Sequence, residues 1–384
     1  MRSANRQGGK GTTTESEKKK FEETFWICQQ CGMCTSACTS SQVSEYNARK
    51  LVRRVQLEMT DDKEFLEKLP WLCTQCGRCH EICGAGLDIP KLVLELRQKA
   101  YKAGYAPQPI LNLRKNILDT STPFKSGTRT KTSWLKDAFA PKGDSDTVFF
   151  SGCAGPLMAP NISRAMAEVL TKVAGGYRLL KDEPCCGEPL IVVGFLEDAR
   201  ANAEKLVQAI KDSGAKRLVT ACAGCYNALT NLYPNVLGVK PPGGVEIQHF
   251  AQFIAGKKEL KLKLEKPITV SYHDPCSLGR HSKVYDPPRD VLRSIEGLKL
   301  VELTPNRERA LCCGGGGGLW SVDPNMAMEV AASKFQRSIL PAKTEILVSG
   351  CPTCFLNFRF TFLKRKLPVQ VMDLAEVVNL ALPK

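Results

Sequence analysis

The sequence predicts an α+β multidomain chain: an α-helical N-terminal block followed by two duplicated α/β units, each on a Rossmann-like parallel sheet. Three observations predict it. The 18 cysteines in 384 residues fall into regular sets: Cys28, Cys31, Cys34 and Cys38 are spaced C-x2-C-x2-C-x3-C, and Cys73, Cys76, Cys79 and Cys83 repeat that spacing. The other ten form two sets of five, Cys153, Cys185, Cys186, Cys222, Cys225 and Cys276, Cys312, Cys313, Cys351, Cys354, each a lone cysteine, an adjacent pair and a C-x2-C. Corresponding members lie 123, 127 and 129 positions apart, so the two halves are duplicates. Within each half, short β-rich runs alternate with helical segments, the alternation of parallel α/β units.

The first block runs over residues 23–118. Three cysteines at i, i+3 and i+6 with a fourth at i+10 are the run that wraps a cubane, and in the bacterial ferredoxin spacing the fourth cysteine ligates the other cluster. That rule assigns Cys28, Cys31, Cys34 and Cys83 to one [4Fe-4S] cubane, and Cys73, Cys76, Cys79 and Cys38 to a second. The proline that often follows the fourth cysteine is absent: Thr39 and Gly84 stand there. Between the runs, NARKLVRRVQLEM and DDKEFLEKL read as helical, and Leu92, Val93 and Leu96 open a further helix after Pro90. The block is thus an α-helical two-cluster ferredoxin domain.

Residues 1–22 are basic and polar and read as a disordered tail; without an apolar stretch behind them they do not read as a secretory signal. Residues 119–146 are polar, mixed in charge and without period, and read as a linker. The duplicated units are expected at 147–262 and 268–384. Each opens on a β-rich run ending in a cysteine, TVFFSGC at 147–153 and ITVSYHDPC at 268–276, and each later delivers its C-x2-C from a strand, KRLVTACAGC and TEILVSGCPTC. In parallel sheets sites sit at the carboxyl ends of strands, where Cys153, Cys222, Cys276 and Cys351 all stand.

Composition narrows the function. A 43% hydrophobic, 24% charged chain is ordinary for a globular protein, and no apolar run of about 18 residues exists to span a membrane. These features imply a cytoplasmic protein that reaches a membrane only through a partner. Neighbouring cysteines bridge each other only with strain, which argues against a disulfide framework. Zinc wants two pairs separated by a loop, and remains the alternative for the five-cysteine sets. The formal charge of +15 is partly internal compensation, since each cluster with its thiolates carries roughly two negative charges. Basic residues are scattered, aromatic residues are 7%, and no recognition module is present, so nucleic acid is not the partner.

Five thiolates are one more than a cubane needs, so each set holds either a cluster of unusual shape or a cubane with a spare thiol. Gly187 after the first pair, and Gly314 to Gly318 after the second, let backbone approach a cluster and donate N–H groups to its sulfurs, with Gly187, Gly314 and Gly315 as the cofactor-binding candidates. His273, three residues before Cys276 and beside Asp274, is either a proton relay or a satisfied structural histidine. His281 with Arg280, Lys283 and Arg289 forms a basic loop that either docks anionic substrate tails or is a solvated face. His80 reads as facing solvent, and His249 has no distinguishing context.

The motifs EPCCGEP, SYHDPCSLGR and ALCCGGGGGLW, with the two C-x2-C pairs, resemble the paired cysteine-rich CCG domains of heterodisulfide reductase. With the N-terminal two-cubane domain the chain resembles the D-type subunit of that enzyme, over about residues 25–380. The wider group includes the iron–sulfur subunits of glycolate, lactate and glycerol-3-phosphate dehydrogenases. The resemblance implies a non-cubane [4Fe-4S] cluster in each CCG domain, held by its five cysteines, and cleavage of a disulfide of thiol cofactors, of the CoB–CoM type, between them. It thereby marks the ten CCG cysteines as the catalytic set, to which the proton-relay reading of His273 adds that residue. It also implies a partner, a membrane cytochrome b-type or flavoprotein dehydrogenase subunit. The family commonly places a histidine after the cysteine of H-D-P-C; this chain has Ser277 there. The rival reading is a non-catalytic relay between a flavin dehydrogenase and quinone, and a weaker third is a zinc-bearing assembly protein.

Overall fold

Chemistry in this chain is positioned by two parallel sheets and a helical block packed across them. The computed structural model describes residues 23–125, 127–136, 139–141 and 145–383; the tail expected at 1–22 lies outside them. In the N-terminal block the described residues form helices and turns only, chiefly α1 (Ala48–Gln56), α2 (Ile89–Lys102) and α3 (Gln108–Thr120). Side-chain caps start the first two: Asn47 accepts from Lys50 N–H and Asp88 from Lys91 N–H. Their apolar faces, Leu51, Val52 and Val55 on α1 and Leu92, Val93, Leu96 and Ala100 on α2, close around Phe25 and Trp71. The two cysteine runs share one backbone shape, with Gln30 and Gln75, and Gly32 and Gly77, at matching positive φ.

The first α/β unit holds β1 (Thr147–Phe149), β2 (Arg217–Thr220) and β3 (Glu246–His249), all parallel in the order β1-β2-β3. The second holds β4 (Leu262–His273), β5 (Ile295–Leu300), β6 (Ile346–Ser349) and β7 (Gln370–Asp373), parallel in the order β5-β4-β6-β7. A single parallel bridge from Val148 to Arg178 takes the place of β5 in the first unit, so the two sheets share one topology. Helices between the strands cover the sheets, among them α4 (Pro160–Ala174), α5 (Leu196–Asp212), α6 (Asp286–Ser294), α7 (Pro324–Lys334), α8 (Pro352–Lys364) and α9 (Leu374–Ala381). Because β4 begins at Leu262, the boundary read between 262 and 268 falls inside a strand. What interrupts that stretch is a register shift between Lys263 and Ile268, around Pro267, whose missing N–H cannot join a ladder.

The described part of 119–146 is no free tether. Trp134 is buried edge-on against Phe149, Tyr177 Oη donates to Phe139 O, and Lys131 Nζ donates to Glu183 O at 2.8 Å. It straps the first α/β unit. One apolar cluster joins the N-terminal block (Trp71, Leu92, Ile110) to the first unit (Leu190, Leu206) and to Leu319 and Met326 of the second, and another joins both sheets. The three parts therefore share their cores. Among the described residues no helix is long and apolar enough to cross a membrane.

Candidate metal centres

Strand ends deliver the cysteines. β1 ends four residues before Cys153 and β4 three before Cys276, while β2 and β6 each end two residues before Cys222 and Cys351. In the N-terminal block, Cys28, Cys31, Cys34 and Cys83 line one pocket, and Cys38 lies in electrostatic contact with Cys73 and Cys76. The fourth cysteine of each run thus sits with the other run. The two sites differ in depth: Cys31 is exposed, whereas Cys73 and Cys79 are buried.

In the first five-cysteine set, Cys185 lies beside Cys153 and Cys186, and Cys225 beside Cys186 and Cys222. In the second, Cys313 lies beside Cys312 and Cys354, and Cys354 beside Cys351. Cys276 feels the charges of Cys312 and Cys313. Two further thiol pairs link the sets: Cys76 meets Cys312, and Cys222 meets Cys351. The order along these contacts is second run, second five-cysteine set, first five-cysteine set.

Donor chemistry fits iron–sulfur clusters. Neighbouring thiols hold Cys185, Cys313 and Cys351 well below the usual thiol range, whereas neighbouring thiols and then burial push Cys153, Cys225 and Cys354 up. So many buried sulfurs cannot all ionise unless a cation core takes their charge. Backbone donors are in place: Gly187 N–H points to Cys185 Sγ at 3.4 Å, Gly314 N–H to Cys312 Sγ at 3.3 Å and Gly315 N–H to Cys313 Sγ at 3.4 Å. Two lysines add positive charge, half-buried Lys131 beside Cys185, Cys153 and Cys225, and buried Lys334, lowered to about 8 by burial, beside Cys313 and Cys312.

The rest of the glycine run serves a different purpose from the one read in the sequence. Gly317 has φ +63°, and a Cβ there would lie 2.5 Å from Cys73 O and 2.5 Å from Thr74 C. It lets the loop close on the second N-terminal run, and Cys312 Sγ reaches Thr74 Oγ1 at 3.4 Å.

Most of the basic loop is engaged within the protein, with Lys283 at the surface. Arg280 is buried and donates to Cys76 O at 2.6 Å and Ala310 O at 2.8 Å; His281 Nε2 lies 3.0 Å from Gln75 O; Lys283 pairs with Glu81 at 2.8 Å. Arg289, fully buried, forks onto Asp274 at 2.7 and 2.9 Å and onto Glu302 at 2.9 and 3.0 Å. These residues knit the second unit to the N-terminal block and to itself, which spacing alone did not reveal.

Three further side chains stand at the sites. Glu188, one residue past Gly187, accepts from Ser277 Oγ at 2.9 Å, joining the two units between their cysteine sets; burial pushes its carboxyl up to about 7. The sequence reading missed Glu188. His273 is 1% exposed, and burial, then the charge of Lys334, lower it well below its ordinary value. His249 is also buried: its Nδ1 accepts from Ala251 N–H, which leaves Nε2–H to donate to Ala221 O at 3.2 Å and Gly350 O at 2.9 Å, across the two sheets. His80, exposed, places Nδ1 3.1 Å from Leu87 O.

This fold and these four sulfur sites define an iron–sulfur oxidoreductase subunit. The 4Fe-4S dicluster domain model matches residues 8–87, and the cysteine-rich CCG domain model matches residues 147–230 and 270–359. The chain is 35% identical over 308 residues to the D-type subunit of the dihydromethanophenazine:CoB–CoM heterodisulfide reductase of Methanosarcina mazei, covering 78% of this chain and 75% of that protein. It belongs to the family of these D-type heterodisulfide reductase subunits. It is also 28% identical over 369 residues to the B-type subunit of the fumarate reductase (CoM/CoB) of Methanothermobacter marburgensis, covering 92% of this chain and 72% of that one. A 27% identity to the EtfAB:quinone oxidoreductase of Syntrophomonas wolfei covers 69% of this chain and 39% of that protein. In fold it is similar to a hypothetical protein from Helicobacter pylori, with a TM-score of 0.61 and 13% identity over 97% of this chain and 73% of that one.

Proposed function

We propose that this subunit takes electrons one at a time at its N-terminal block and uses its paired five-cysteine sites to cleave a disulfide of thiol cofactors. One observation carries the reading. The Cys222 and Cys351 thiols meet, so the two sites share an edge where two electrons can be delivered to one bond. Cleavage consumes two electrons and two protons, and yields two thiols. The clusters, when bound, supply single-electron storage and transfer. The chain's own residues order the route: Cys31 and its exposed neighbours Trp26, Ile27 and Met33 face a donor, the Cys76–Cys312 contact leads inward, and the Glu188–Ser277 pair borders both sites. The donor is a membrane cytochrome b-type or flavoprotein subunit, and the protein works in the cytoplasm.

A second reading is favoured by the similarity to the EtfAB:quinone oxidoreductase: a relay that passes electrons to quinone without a disulfide step. Anaerobically reduced protein mixed with disulfides of thiol cofactors separates the two. Prompt reoxidation with a changed paramagnetic signal from the five-cysteine sites, abolished in Cys153→Ser and Cys276→Ser, is the expected result. No response across a broad disulfide panel, with rapid reoxidation by quinone in the presence of the partner, sinks the proposal.

A further inference from the structure

The two five-cysteine sites are duplicates in their ligands but not in what stands behind them. Three residues before the lone cysteine, the second site has His273 and the first has Phe150, both buried where the equivalent strand ends. A phenyl ring has no donor. The His273 ring carries two nitrogens, and neither has a hydrogen-bond partner within the protein. Its ring is held edge-on to Phe358, centroids 4.9 Å apart at 87°, and a ring nitrogen lies within 4.8 Å of the sulfurs of Cys313 and Cys354. Buried polar groups find partners, and the groups within reach here are sulfurs of the second site.

We propose that His273 donates an N–H hydrogen bond to a sulfur of the second-site cluster, and that Phe150 withholds this bond from the first, so that the two clusters differ in reduction potential. Hydrogen bonds to sulfur stabilise the reduced, more negative cluster and raise its potential. The second site is also the one in contact with the N-terminal block, through Cys76 and Cys312. It therefore holds the first electron to arrive, while the first site waits for the next. His273 is in this sense a positioning residue for electrons rather than a ligand, since five cysteines already serve the site. The inference rests on the cluster-bearing character of the second site and not on the disulfide reading.

The test is an EPR-monitored redox titration of the anaerobically purified, cluster-loaded full chain, beside His273→Phe and His273→Gln. The expected result is a lowered midpoint for one five-cysteine signal in His273→Phe, the other signal and the iron content unchanged, and a midpoint nearer wild type in His273→Gln, which keeps an N–H. Unchanged midpoints in His273→Phe, an equal shift of both signals, or loss of about four irons, which marks a ligand, each overturn the proposal. Pulsed EPR of wild-type protein carrying 15N-histidine needs no variant to fold: a weak nitrogen coupling to one cluster is expected, and its absence, or a coupling as strong as that of a metal-bound nitrogen, overturns the proposal. None of these measurements involves a disulfide, so a failed disulfide assay leaves them standing.

Discussion

Replacing Gly317 with alanine tests the seam between the N-terminal block and the second five-cysteine site. The residue sits at φ +63°, and its new Cβ would fall 2.5 Å from Cys73 O and Thr74 C, both backbone atoms that cannot swing aside. Left-handed backbone costs a residue with a Cβ about 1–2 kcal/mol, and overpacking a closed contact about 1–3 kcal/mol more. The total, about 2–5 kcal/mol, lowers the apparent melting temperature by about 4–10 °C at roughly 2 °C per kcal/mol for a large chain. Gly104→Ala is the control, because Gly104 has φ +78° with nothing within 4 Å of its Cβ position; it incurs only the backbone cost, roughly 1–2 kcal/mol. Because cluster-bearing proteins unfold irreversibly, all variants are melted anaerobically at one scan rate. Stopped-flow reduction supplies the second readout: Gly317→Ala should slow electron arrival at the five-cysteine sites while the first-run cluster accepts electrons from an artificial donor at the wild-type rate. A Gly317→Ala protein that melts with Gly104→Ala and transfers electrons normally would show that the seam does not depend on a close approach at this glycine.

Other consequences are open to the same kind of test. Cys38→Ser should perturb the cluster held by Cys73, Cys76 and Cys79, and a spectrum altered only in the first-run cluster would reject the crossed pairing. Arg289→Met leaves buried Asp274 without its ion-pair partner, the Arg307 N–H alone remaining, and should destabilise the protein by about 3–5 kcal/mol; a melting temperature within about 2 °C of wild type, an interval of roughly 1 kcal/mol, counts against it. His249, lowered by burial to about 4 from 6.5, is neutral in the folded protein. Its contribution is whole above pH 6.5 and is lost as the pH falls towards 4, because the unfolded chain takes up the proton first, a total on the order of 3 kcal/mol. His249→Gln should therefore flatten the fall of stability over that window relative to wild type, and parallel curves would contradict the assignment.

The grouping of the cysteines was legible because it is local or repeated: C-x2-C-x2-C-x3-C brings three thiols into one turn-rich segment, and the duplicated spacing of the later ten marks equivalent strand ends. Parallel α/β units were legible from alternating β-rich and helical runs. Contacts between distant segments were not. Nothing in the spacing of Arg280 or His281 tells that their partners are Cys76 O and Gln75 O, some 200 residues away. Lys131 looked like one more charge in a polar stretch, yet its ammonium lies beside the first five-cysteine set. Gly317 was read as serving a cluster because it follows Cys313, while its partner is the backbone of another domain. His249 carries no motif, and Glu188, though it stands inside EPCCGEP, takes its meaning from its bond across to Ser277 of the other unit.

The order of electron arrival tests the central claim most directly. Fully oxidised, cluster-loaded protein is mixed with a one-electron donor, freeze-quenched over milliseconds and followed by EPR, with Cys276→Ser and Cys153→Ser identifying the two five-cysteine signals. The N-terminal clusters should reduce first, then the second five-cysteine site, then the first, following the Cys76–Cys312 and Cys222–Cys351 contacts. Reduction of the first five-cysteine site ahead of the second would contradict that order.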